Sequence, residues 1–113
     1  MTSISSDLPK KEIPRLYETE NLSLDEKIIQ QRYRIEEIRF YWLLCELDKD
    51  ENLAFGYANL NNDEFAEWGY IDVSELLENG ADLDRDWKPC SFVEARKKIA
   101  REREQESITQ RIP

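Results

Sequence analysis

The chain reads as an α+β domain: an antiparallel sheet of four or five strands with a short helix and a C-terminal helix packed on one face. Three stretches predict this. Residues 53–73, LAFGYANLNNDEFAEWGYIDV, form two runs of period-2 alternation around a polar turn, the pattern of a β-hairpin. Residues 39–47 are apolar on both alternating rows, as a strand covered on both sides must be. After Ser91, the residues Phe92, Ala95 and Ile99 recur at helical spacing behind a Ser91 to Glu94 capping box.

In chain order, residues 1–12 form a polar tail. Ile13, Pro14, Arg15, Leu16 and Tyr17 then supply a first apolar anchor, extended because Pro14 disfavours helix at Ile13. Ser23 to Glu26 matches a capping box with no helical period behind it, which predicts a single turn. Residues 27–35 read as a half-exposed strand, with Ile29, Tyr33 and Ile35 on one face and Arg32 and Arg34 on the other. The doubly apolar strand follows, carrying Tyr41, Leu43, Cys45 and Leu47 on one face and Phe40, Trp42 and Leu44 on the other. A turn at residues 48–52 leads into the hairpin. Asp72, three before Glu75, opens a short helix that Gly80 stops. Residues 83–87 are a brief edge strand or an extended segment before Pro89, and the C-terminal helix completes a single domain over 13–101. Residues 102–113 have little to bury and are expected to fray in solvent.

The first arm of the hairpin alternates bulky Leu53, Phe55 and Tyr57 with small Ala54, Gly56 and Ala58. A face of small residues lets a backbone approach, so the helix opening at Ser91 is expected across it. In the second arm Phe65, Glu67, Gly69, Ile71 and Val73 share one row, and Glu67 is its only carboxylate. On a buried row it must be neutralised by a proton or a cation, and Arg85 is the nearest candidate. Glu67, Arg85 and Asp86 are therefore the candidate polar cluster, expected as a structural ion-pair network.

The run FGYANLNNDEFAEWGYIDVSEL, with IPRLYETE before it and DLDRDWKP after it, resembles the bacterial family catalogued as domain of unknown function 2958. The similarity covers residues 13–95 and is most specific at Phe55 to Tyr57, Glu67 to Tyr70, and Arg85 with Asp86. It implies a small bacterial domain encoded on plasmids, phages or other mobile elements. It implies no activity.

Net charge is −9, unevenly distributed. Residues 1–45 hold eight acids and seven bases, residues 46–87 thirteen and two, and residues 88–113 four and seven. An acidic middle repels nucleic-acid phosphate and attracts a basic partner. There is no histidine, so histidine-dependent triads and zinc sites are excluded. With three glycines and no GxxxxGK[ST] or GxGxxG run, no familiar phosphate-cradling loop can form. Asp82, Asp84 and Asp86 share the spacing of a calcium loop, but Trp87 stands where its glycine belongs and Val93 where its glutamate does. No metal or other cofactor is expected. Two cysteines, Cys45 and Cys90, and the lack of an apolar leader or membrane span fit a reduced, cytoplasmic setting.

The sequence thus points away from catalysis and towards an interaction module. The expected partner is a basic protein, such as a nucleic-acid-binding one, engaged by carboxylates that mimic phosphates. Its contact residues are expected among Asp48, Asp50, Glu51, Asp63, Glu64, Trp68, Tyr70, Asp82 and Asp84. The alternative is a small ligand-binding or hydrolase-like domain centred on Glu67, Arg85 and Asp86.

Overall fold

A computed structural model describes residues 12–111 of the chain, with side chains through residue 105. The expected polar tail, Glu12 apart, lies outside the described residues. The elements are β1 (Ile28–Ile29), β2 (Gln31–Ile35), β3 (Phe40–Asp48), β4 (Leu53–Leu60), β5 (Glu67–Asp72), α1 (Val73–Glu78), β6 (Asp82–Leu83), β7 (Cys90–Ser91) and α2 (Phe92–Arg111). Five strands form one antiparallel sheet in the order β5-β4-β3-β2-β6, and β1 pairs with β7 in a second, two-stranded sheet. The α+β architecture is the expected one, and the doubly apolar strand is indeed central.

Local sequence places the element ends. The Ser23 to Glu26 box closes one 3₁₀ turn, Leu24–Glu26. Asp72 caps α1 by accepting the Glu75 N–H at 3.2 Å, and Gly80 ends it at a φ of +93° that side chains resist. Ser91 Oγ likewise accepts the Glu94 N–H at 3.2 Å. The turns flanking β4 place Asn52 and Asn61 in the left-handed region, which asparagine tolerates.

Each face of the large sheet carries one helix. Under α2 lie Tyr41, Leu43, Cys45 and Tyr57, packed against Phe92, Ala95 and Ile99 and bordered by Ile29 and Trp87. The Trp87 indole N–H donates to the Ile29 carbonyl at 3.0 Å, which fastens the small sheet to this core. On the opposite face α1 crosses from the β5 edge to the β6 edge, covering Tyr33, Leu44, Ala54 and Ile71 with Val73, Leu76 and the following Ala81.

Four local expectations are corrected. The helix opening at Ser91 lies on the bulky row of β4, not on Ala54, Gly56 and Ala58. Its Phe92 ring meets Tyr57 and Trp68 edge-on, at 4.8 Å from each, and an aromatic pocket outcompetes a bare surface for such a ring. Ala54 is covered by α1 instead. Second, the β3–β4 register shifts between Leu44 and Glu46: Leu44 faces Gly56, Glu46 faces Phe55, and Cys45 is left over. That bulge sends Leu47 to the α1 face, away from Cys45. Third, Phe65 leaves the β5 row for the turn before it and is 74% exposed. Fourth, packing against the domain continues past residue 101. The helix runs to Arg111, with Glu102 and Arg103 half-buried and the Arg103 guanidinium 5.5 Å from the Tyr41 ring centroid.

Gly56 has a cause that sequence periodicity did not suggest. A Cβ on it would lie 2.0 Å from the Leu43 carbonyl oxygen. The missing side chain therefore lets β3 approach at the bulge and has no bearing on a helix. Gly56→Ala should lower stability by about 1–3 kcal/mol in chemical denaturation through overpacking. Gly69→Ala, where a Cβ meets nothing within 4 Å, should leave the midpoint unchanged or raise it.

Candidate interaction surface

Among the described residues, the interior holds two buried ion groups, besides the fully buried Asn59, whose Nδ2 donates to the Tyr41 hydroxyl at 3.2 Å. Arg32, on the α2 face of β2, is 4% exposed. Its Nε and Nη2 donate to Asp84 Oδ2 at 3.1 and 2.7 Å, and its Nη1 donates to Glu102 Oε1 at 2.7 Å. The guanidinium thus ties β2 to the segment after β6 and to α2. Burial lowers the affinity of Arg32 for its proton, but hydrogen bonds to Glu102 and Asp84 outweigh it and raise the pKa. Burial likewise pushes the Asp84 carboxyl up. The Arg32 hydrogen bond, the Asp86 N–H and the charges of Arg32 and Arg34 hold it below the usual 3.8.

The second group centres on Glu46, which the bulge turns onto the α2 face. Its Oε1 accepts the Tyr17 N–H at 2.8 Å, and its Oε2 accepts the Thr19 N–H at 3.1 Å and the Thr19 hydroxyl. Lys27, also buried, donates to the Thr19 carbonyl at 2.6 Å and to Thr19 Oγ1 at 2.8 Å, with Glu46 Oε2 at 4.0 Å. These bonds hold Tyr17 at a φ of +72°, a strained conformation for a bulky residue. So held, Tyr17 reaches over the sheet to Tyr70, the two hydroxyls lying 2.5 Å apart. Between this loop and the sheet lies a cleft of about 340 Å³ lined chiefly by Tyr17, Leu22, Leu24, Lys27, Phe55 and Tyr70.

The sequence-derived cluster does not assemble. Glu67 is exposed on β5 at one edge of the sheet, whereas Arg85 and Asp86 follow β6 at the other. Four interstrand steps of about 4.8 Å separate them by about 19 Å. Solvent, not Arg85, meets Glu67, because α1 covers only the upper part of its face. Arg32 holds the buried pair expected of Arg85, with Asp84 as its partner. The half-exposed strand expected over residues 27–35 is therefore two strands, and Arg32 lies on its buried side. A carboxylate in a run otherwise apolar, Glu46 in YWLLCEL, was the signal for the second group.

Of the expected contact residues, Asp50, Glu51, Asp63, Glu64, Tyr70 and Asp82 are exposed. Asp48 and Asp63 are occupied locally: Asp48 Oδ1 accepts the Asp50 and Glu51 N–H groups, and Asp63 Oδ1 accepts Asn59 Nδ2 at 2.8 Å. Trp68 is half-buried, stacked on Phe55 at 5.7 Å. Asp84 is corrected: its buried ion pair removes it from any contact surface.

The α1 face is only half covered. Beyond α1, Ile35, Phe40, Trp42, Ala58 and Gly69 remain partly exposed, and Leu60 is 52% exposed. By register, the positions of this face are Gln31, Tyr33, Ile35, Phe40, Trp42, Leu44, Leu47, Ala54, Gly56, Ala58, Leu60, Glu67, Gly69, Ile71 and Leu83. None is basic, and α1 itself, VSELLE, holds two glutamates and no base. Glu37 and Glu64 are exposed in the turns at this end of the sheet, while Glu36 pairs with Arg34 at 3.4 Å and Asp63 with Asn59 at 2.8 Å, both on the α2 side.

Among the described residues there is no group of acids, cysteines or histidines placed to hold a metal ion, and no helix long and apolar enough to cross a membrane. No family model, curated protein or solved structure matches the chain.

Arg32→Met should cost about 3–5 kcal/mol, since it strands the buried Asp84. Arg85→Met should stay within about 0.5 kcal/mol. The sign with pH follows from the depressed Asp84 pKa. Its contribution is complete well above 3.8 and is lost as pH falls below that value, so Asp84→Asn should flatten the acid limb of a stability-versus-pH curve.

Proposed function

We propose that this chain is a non-enzymatic interaction module that binds a basic protein partner, its carboxylates standing where nucleic-acid phosphates would. The observation that carries this is the half-open α1 face, an apolar floor carrying the exposed Glu67 beside Glu75 and Glu78 of α1, with no lysine or arginine at any of its strand positions. Apolar contact at the centre with complementary charge at the rim is how protein interfaces are built. A second copy of the chain would set Glu67, Glu75 and Glu78 against the same carboxylates, which favours a partner of opposite charge. The resemblance to domain of unknown function 2958 implies a bacterial mobile-element setting, in which nucleic-acid-binding proteins are the basic partners at hand. The ligand-binding or hydrolase-like alternative loses its basis, since Glu67, Arg85 and Asp86 do not converge.

A partner recovered from the native host by affinity purification should be basic, and this chain should compete with duplex DNA for it. Its binding should weaken steeply as salt rises from about 0.05 to about 0.5 M, and should persist when residues 106–113 are deleted. Trp42→Ala or Glu67→Lys should each weaken it by about tenfold or more. Salt-insensitive binding that both variants retain would sink the proposal.

A further inference from the structure

We infer that the outer edge of β5 accepts an extended segment of the partner as an additional strand. That segment alternates apolar side chains, which enter the cleft beside Tyr70, with basic ones, which lie over Glu67 on the other face. This rests on the reading of a basic partner and states how such a partner is held.

The argument begins with backbone groups. Beyond the Leu53 to Asp72 pair, the Val73 N–H donates to the Asn52 carbonyl at 3.0 Å. Hydrogen-bonded and non-hydrogen-bonded pairs alternate in an antiparallel ladder. Ile71 with Ala54, Gly69 with Gly56 and Glu67 with Ala58 are therefore the bonded pairs, and Trp68 and Tyr70 direct their N–H and C=O groups outward. Among the described residues nothing takes these groups up. Edge strands are ordinarily guarded by lysine, proline or a bulge. β5, EWGYID, has none of these, and the β6 edge opposite is only two residues long.

The two faces then set the chemistry of the added strand. Its side chains on the α2 face fall next to Tyr70, where Phe55, Tyr17, Leu22 and Leu24 line the cleft of about 340 Å³. Its alternate side chains fall beside Glu67 and Gly69, and the space around Gly69 is empty within 4 Å of where a Cβ would be. A long basic side chain can reach Glu67 across that gap. Pairing of β5 with β5 of another copy would set Glu67 against an apolar residue and supply no cation to it, since EWGYID holds no base.

The probe is a short synthetic peptide alternating leucine and lysine, followed by fluorescence anisotropy and by amide hydrogen exchange. Binding should slow exchange at Trp68 and Tyr70. N-methylation of the alternate peptide amides facing β5 should weaken binding by about tenfold or more, with charge and side chains unchanged. Tyr70→Pro, which removes an outward N–H and leaves the β4 ladder whole, should do the same, while Tyr70→Phe should change it by less than about threefold. Equal binding by the N-methylated peptide with unchanged exchange would overturn strand addition, and a persisting salt dependence would leave the basic-partner reading standing. Equal binding of a leucine and glutamate peptide would overturn the basic preference, on which the inference rests. Concentration-dependent protection of Trp68 and Tyr70 without peptide would make a second copy the occupant and overturn the partner assignment.

Discussion

Between Leu44 and Glu46 the central strand holds one residue more than the strand beside it, and the polar organisation of the α2 face follows from that extra residue. Without the bulge, Glu46 would lie with Leu44 on the α1 face, and the loop carrying Tyr17 and Thr19 would lose its acceptor. With it, Cys45 and Glu46 both point towards α2. Cys45 fills the apolar core, where burial drives its thiol pKa to about 12, and Glu46 draws the loop down onto the sheet. Gly56 is the complementary adaptation on the facing strand, because only a residue without a Cβ tolerates the Leu43 carbonyl there. The two hold each other: one strand kinks, the other makes room.

Where local pattern suffices, the fold was legible. The hairpin, the doubly apolar central strand, the cap at Asp72, the stop at Gly80 and the start of the long helix all follow from alternation, capping and turn chemistry within a few residues. What was not legible depends on strand order and on register beyond one pair. Nothing in the residues around Glu67 says that α1 will carry the chain to the far side of the sheet, so Arg85 looked near when it is an entire sheet away. Period-2 counting passes through a bulge unaware, which is why Leu47 was put with Cys45. The small-residue row invited a helix, and one came, but it was the short helix that follows β5 directly.

Charge is sorted as much as it is balanced. The buried cations Lys27 and Arg32 are enclosed with carboxylates, so they lend nothing to the exterior potential beyond their own group. Surface pairs such as Arg15 with Glu18 and Lys97 with Glu94 are neighbours along the chain and stabilise little in water. The remaining bases concentrate on α2, across the sheet from the acidic face. The molecule is therefore polarised through its thickness, and such a field turns any charged body that approaches it before contact.

The three tryptophans are distributed one to a region. Trp42 lies half-exposed on the open α1 face, Trp68 on the edge strand beside its ring stack, and Trp87 in the core with its indole N–H bonded to Ile29. Trp87 also has the Arg32 guanidinium at 5.0 Å and the Lys98 ammonium at 4.5 Å from its ring. An indole's emission responds to local water and to nearby charge. The native chain thus carries three intrinsic optical reporters in dissimilar surroundings, one for the open face, one for the edge and one for the interior. Variants that keep one tryptophan at a time would let emission distinguish an event at that place from a loss of the fold.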